Sequence, residues 1–243
     1  MEDEPKPFLD HLEDLRMMIV KMVATLGAAM LVAFFFRTQL ADLLQRPLIA
    51  VDPSRLNNLQ SLGVADSMTI SFGLSFYAGI VLAFPLLLVF LAQFVVPALT
   101  KVERKLLFPA AFAGLGLFLT GVLFAYFVVL PGALDFFFKD AKAMNWQPTW
   151  TVREYYSFAT QFVVAFGVAF EMPIAILVLV KLGFVDVPML QRTRAFAVVI
   201  ILIFSAVITP TQAILTLLMM AGPMYVLYEI CILLARFFPR REE

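Results

Sequence analysis

The chain reads as an all-α integral membrane protein whose helices cross the bilayer six times. Three observations carry that reading. Of 243 residues, 62% are hydrophobic and 15% charged, against about 45–50% apolar in soluble domains. The mean hydropathy is +0.92. The apolar residues fall in long runs, and about twenty in succession let a helix span hydrocarbon.

The runs cover residues 17–36, 68–96, 106–130, 156–180, 195–208 and 213–238. The chain opens MEDEPKP, acidic where a secretory leader would be basic, so the first run is expected to stay in the mature protein. The second, near 29 residues, is long enough to tilt or project. Pro85 should kink it, and Pro173 and Pro223 should do the same to the fourth and sixth. The fifth run rises only about 21 Å, against a hydrocarbon core of about 30 Å. It is either re-entrant or set where the bilayer thins. Thr209-Pro210-Thr211-Gln212 then makes a tight turn into the sixth, and the fifth and sixth are read together as short spans. No repeat, linker or low-complexity segment divides the chain. The expectation is one domain, 1–243, with an amphipathic segment 1–16 and a tail 239–243.

Basic residues set the orientation. With the N-terminus inside, twelve Lys and Arg lie on the cytoplasmic side and six outside. Both termini are then cytoplasmic, and the larger outer loops fall near 38–67 and 131–155. Trp146, Trp150, Tyr155 and Tyr156 suit an interfacial belt there. Acids and bases balance at 18 each, which argues against a nucleic-acid partner. The single cysteine, Cys231, reads as a small hydrophobe. No HExxH, GxSxG, Cys–His pair or phosphate loop is present, and a lone His with a lone Cys makes no usual metal site. The expectation is no enzyme, no cofactor and no metal.

Two places carry candidate chemistry. FLDHLEDLR sets His11, Glu13, Asp14 and Arg16 at the threshold of the first span. Charges there can read a charged ligand without the full cost of burial, or Arg16 and Lys21 can simply anchor an interfacial helix. The turn FVVPALTKVERK faces the same side; Pro97 closes one helix, and Glu103 stands among Lys101, Arg104 and Lys105. Alone, Glu103 is a local salt bridge of little worth. With Asp14 it makes two carboxylates, each able to take one guanidinium bidentately, which favours paired arginines over paired lysines.

Glu171 lies deep in the fourth span, where a carboxylate is expensive and points to function. It is neutral and bonded to a hydroxyl, or meets a polar ligand in a wet cavity, or serves a proton path. Pro173 would free carbonyls nearby. Tyr126 in the third span is nominated as its hydrogen-bond partner, on the ground that both lie toward outer ends.

These motifs together resemble the TatC family, the multi-spanning core of the twin-arginine protein translocase. HLEDLR, Pro47 in RPLI, PALTKVERK, FAYFVVLP, AFGVAFEMPIAI, ITP at Ile208 and PMYVLYEI at Pro223 follow the family order through all six spans. The chain departs from it with Asp14 where the family usually has Glu, and Gln212 where many members have an acid. The resemblance implies a cup-shaped arrangement of six helices in the inner membrane of a prokaryote. It implies a receptor for twin-arginine signal peptides on folded cargo, working with the single-span TatA and TatB in a multimeric complex driven by the proton-motive force. Asp14 and Glu103 would bind the paired arginines, supported by Arg16, His11, Glu13, Phe94 and Arg104. Thr209, Gln212 and Thr216 would contact partner helices. Glu171 would face the concave side, away from both lipid and tight helix contacts. The rival readings are a proton-coupled transporter using Glu171, for which internal symmetry is lacking, and a scaffold without a ligand.

Overall fold

The computed structural model describes residues 8–51, 59–96, 101–146, 149–181, 183–208 and 214–237. Among these the chain is helical but for turns and one isolated bridge. The helices are α1 (Phe8–Phe35), α2 (Arg37–Val51), α3 (Asp66–Val95) and α4 (Lys101–Phe124). A π-helical stretch, Ala125–Val129, runs on into α5 (Leu130–Ala143). Then come α6 (Val152–Ala169), α7 (Met172–Lys181), α8 (Val187–Arg192), α9 (Arg194–Ile208) and α10 (Ile214–Phe237).

Five segments are long and apolar enough to cross a membrane: Leu12–Phe35, Asp66–Phe94, Pro109–Ala143, Val152–Lys181 and Leu217–Arg236. A sixth apolar helix, Arg194–Val207, is shorter. This is the short fifth run. The sixth run has 20 residues in its spanning part, a rise of about 30 Å, so the deficit of length is confined to α9.

The proline expectations divide. α3 and α10 run unbroken through Pro85 and Pro223, as α2 does through Pro47. Pro173 coincides with a break, since the fourth run stops at Phe170–Glu171 and restarts as α7. Pro97 falls outside the described residues. The third run goes further than the sequence suggests. Pro131, in the first turn of α5, removes a donor, and the backbone slips into the π pattern instead, the Leu130 amide reaching back to the Ala125 carbonyl. The helix therefore continues through much of the expected second loop.

One end of the bundle is capped. α2 packs against α5, α3 and α6. The Gln60 amide donates to the Trp150 carbonyl at 3.1 Å, and the Val152 amide to the Gln60 carbonyl at 3.0 Å, so the two loops at this end are stitched at one point. Thr151 then starts α6 with a capping box to Glu154, satisfying amides that a helix start leaves open. The expected aromatic belt is only partly present. Trp146 is exposed, but Tyr155 and Tyr156 are buried and aim their hydroxyls at α2. A hydroxyl in the core needs an acceptor, and the carbonyls of α2 provide it.

The most extensive helix contact is α1 on α3. Lipid supplies no hydrophobic drive between helices, so close packing must hold them together. Ser67, Ser71, Ser75, Gly79 and Ala83 recur every four residues along one face of α3. At Gly79 an added Cβ would stand 3.0 Å from the Met30 backbone. Gly79→Val should therefore lower the thermal midpoint of the purified protein, by the about 1–3 kcal/mol of an overpacked core. Gly73→Ala, where nothing lies within 4 Å, is the control. Equal midpoints for the two variants would show that α1 and α3 are not held by this approach.

Candidate functional site

At the end opposite the cap, α1 and α3 open into a cleft of about 210 Å³. Asp14, Met17, Met18 and Lys21 line it from α1, and Phe90, Gln93 and Phe94 from α3. Each set follows helical spacing, so each helix turns one face to the cleft. Two sequence candidates, Asp14 and Phe94, are thus brought together. The chemistry is mixed: one acid, one ammonium, one amide and an apolar wall. Such a cleft suits a cation carried on an apolar stem.

The other members of the N-terminal group stand apart. Arg16 donates to Glu13 at 3.2 Å, and both side chains are about 70% exposed. The acid Arg16 holds is therefore Glu13, in a solvent-screened pair of little worth. Neither lines the cleft. His11 is in the first turn of α1, and Glu103 and Arg104 in the first turn of α4; their side chains lie outside the described residues. Sequence reading missed Met17, Met18, Phe90 and Gln93, and took Lys21 only as an anchor, although the spacings 14, 17, 18, 21 and 90, 93, 94 were there to find.

Glu171 sits at the break between α6 and α7. Pro173 has no amide for the Ala169 carbonyl, so the helix tightens. The Glu171 amide bonds three residues back, to Val168 at 3.1 Å, before Ala175 resumes the four-residue register. The carboxylate then packs on α4. A Cβ added at Gly114 would lie 3.0 Å from Oε2, with Leu88 and Ile174 close by. Oε1 is buried with no hydrogen-bond partner among the described residues. The setting is tighter than the open hollow expected from sequence. The reason is the glycine, which lets this carboxylate come against α4.

Tyr126 is not its partner. Its hydroxyl donates to the Leu43 carbonyl at 2.7 Å. Gly114, beside Glu171, precedes Tyr126 by twelve residues, roughly 18 Å along the helix. The two groups lie at different depths. Glu171 belongs with the half of its span nearer Lys181, not the capped end.

Of the proposed partner-contact residues, Thr209 and Gln212 fall outside the described residues, as does the side chain of Thr216. Phe196, Ile200, Ile203 and Val207 form an exposed apolar stripe on α9. At the start of α9, Arg194 pairs with Glu229 of α10 at 2.8 Å, and Tyr225 donates to the same carboxylate at 2.9 Å. Tyr228 donates to the Leu190 carbonyl at 2.8 Å. The Arg194–Glu229 pair ties the start of the short helix to α10, Tyr225 steadies that carboxylate from within α10, and Tyr228 ties α10 to α8. The PMYVLYEI motif holds Tyr225 and Glu229, and nothing in its spacing marks the contact with Arg194. No group of three metal-ligating side chains occurs among the described residues.

Comparison with known proteins gives one answer. The family model for Sec-independent protein translocase protein (TatC) matches residues 10–223. A protein of that name from Akkermansia muciniphila is 45% identical over 77% of this chain, which spans 54% of that relative's length. Another from Deinococcus radiodurans is 36% identical over 96% of this chain and 86% of its own. The solved twin-arginine translocase receptor TatC superposes with a TM-score of 0.85 at 33% identity, covering 93% of this chain and 98% of that one. The chain belongs to the TatC family.

An orphaned buried oxygen costs about 1–3 kcal/mol. Glu171→Met, similar in reach and without that demand, should raise the thermal midpoint in detergent. An unchanged or lower midpoint would mean that Oε1 finds a donor in the purified protein.

Proposed function

We propose that this TatC-family chain is a membrane receptor for twin-arginine signal peptides and the core of a protein-exporting complex, and that it is not an enzyme. The cleft carries the reading: Asp14 and Phe94 share it at the end where the chain also places the first turn of α4 and Glu103. One carboxylate at Asp14 and one at Glu103 offer two acceptors for two guanidinium forks. Phe90, Phe94, Met17 and Met18 offer apolar surface for the arginine stems.

In this reading both termini are cytoplasmic, the protein spans the inner membrane of a prokaryote as one domain, and the capped end faces outward. TatA and TatB are its single-span partners, and the proton-motive force drives transport. The exposed stripe on α9, with Thr209, Gln212 and Thr216 beyond it, is the surface for partner helices. A helix too short for its bilayer gains most from a neighbour that covers its ends. Glu171 serves transport rather than recognition, because it packs on α4 and is not part of the cleft lining.

Peptide binding to the purified protein tests recognition. A twin-arginine peptide should bind more tightly than its twin-lysine counterpart. Asp14→Ala and Glu103→Ala should each weaken it about tenfold, the loss of one charge-assisted pair. Unchanged affinity in both variants places the site elsewhere.

Glu171 separates binding from transport. Glu171→Ala should bind peptide like the wild type while exporting less in a vesicle assay, with Glu171→Gln milder. Loss of peptide binding in both would move Glu171 into the recognition site.

A further inference from the structure

Tyr126 stands apart from both the cleft and Glu171, and the FAYFVVLP and RPLI motifs are so far without a shared task. They meet at one atom. Pro47 lies inside α2 and has no amide hydrogen. The carbonyl four residues earlier, on Leu43, therefore loses its helical donor, and the proline ring crowds it outward. The Tyr126 hydroxyl donates to that carbonyl at 2.7 Å, from 83 residues away in sequence.

The aim of Tyr126 has its own cause. It lies in the π-helical stretch Ala125–Val129, where the Leu130 amide reaches back five residues to Ala125. One extra residue in a turn rotates the two flanking helical segments against each other by roughly 100°, and this slip falls just before Pro131. Each motif thus has a proline. One frees an acceptor, and the other stands where the helix carrying the donor slips.

We propose that Tyr126 is a positioning residue: its hydroxyl replaces the amide that Pro47 lacks, and so fastens α2 to the third span and closes the capped end. Tyr155 and Tyr156 also reach α2, at the carbonyls of Leu44 and Ala41. Those carbonyls are four residues before Leu48 and Gln45, which have amides. Leu43 alone among the three stands four residues before a residue with no amide hydrogen. In hydrocarbon an unmet carbonyl has no cheap substitute for that bond.

Hydrogen exchange of the α2 amides in the full-length purified protein tests this. Tyr126→Phe should speed exchange across α2 about threefold to tenfold, the loss of one hydrogen bond expressed as local opening. In a Pro47→Ala background the amide at position 47 can bond Leu43, and Tyr126→Phe should then change exchange less than twofold. Tyr155→Phe is the control, because its acceptor on Leu44 is four residues before Leu48, which has an amide in both backgrounds, so its effect should be the same in both. A Tyr126→Phe effect that persists undiminished in Pro47→Ala, or no effect in the wild-type background, overturns the proposal. If Pro47→Ala fails to accumulate, Pro47→Ser restores the same amide and gives the same reading.

Discussion

In hydrocarbon every backbone donor and acceptor has to be met inside the protein. This chain strains that requirement repeatedly, because Pro47, Pro85, Pro109 and Pro223 lie inside helices and Pro173 lies two residues past a break. Each removes one amide and leaves one carbonyl to be met otherwise. The structure answers locally. Near Pro173 the helix stops and restarts, and the turn holds Glu171. Before Pro131 the backbone takes the π pattern and carries on. The molecule departs from a plain bundle mainly at the places where amides are missing.

The polar side chains obey the same rule. Ser71, Ser75, Thr120 and Thr160 each return their hydroxyl to a carbonyl four residues back. They spend their polarity within their own helix and stay small, which lets neighbours come close. Gly121 meets the Phe166 carbonyl of α6 at 2.7 Å from where its Cβ would be, and Gly79 plays the same part against α1. Among the described residues Glu171 stands out as a long polar side chain with a buried oxygen that no such return satisfies. A residue of that cost, kept at a helix break, is better explained by use than by stability.

The spans were legible because length and composition alone decide them. The short fifth run was legible for the same reason; the break at Pro173 was not singled out, because the same proline signal stands at Pro85 and Pro223, where the helices run on. The run past Pro131 was not, because a proline in sequence reads as a stop and only the backbone slip turns it into a continuation. The acceptor of Tyr126 could not be read at all. It is a main-chain oxygen, made available by the absence of a hydrogen four residues on, and nothing in the side chain of Leu43 marks it. Depth misled the pairing with Glu171: counted from Lys181 the carboxylate is ten residues in, which puts it in the other half of the span from Tyr126. The N-terminal motif reads in sequence as one group, and in the structure it divides. Helical spacing separates Asp14, which faces α3, from Glu13 and Arg16, which pair with each other in the open.

The three tyrosine contacts on α2 also set an order of assembly. They join residues 83, 111 and 115 positions apart. At about 5–20 residues per second, α2 leaves the ribosome roughly 5–20 s before the last of the side chains that will hold it. Until Tyr126 emerges it is a short helix with a proline in its last turns and an unclaimed carbonyl on Leu43. The cap therefore closes only as the fourth span emerges, and a nascent chain stalled before Tyr126 presents α2 unfastened to whatever surveys unfinished membrane proteins.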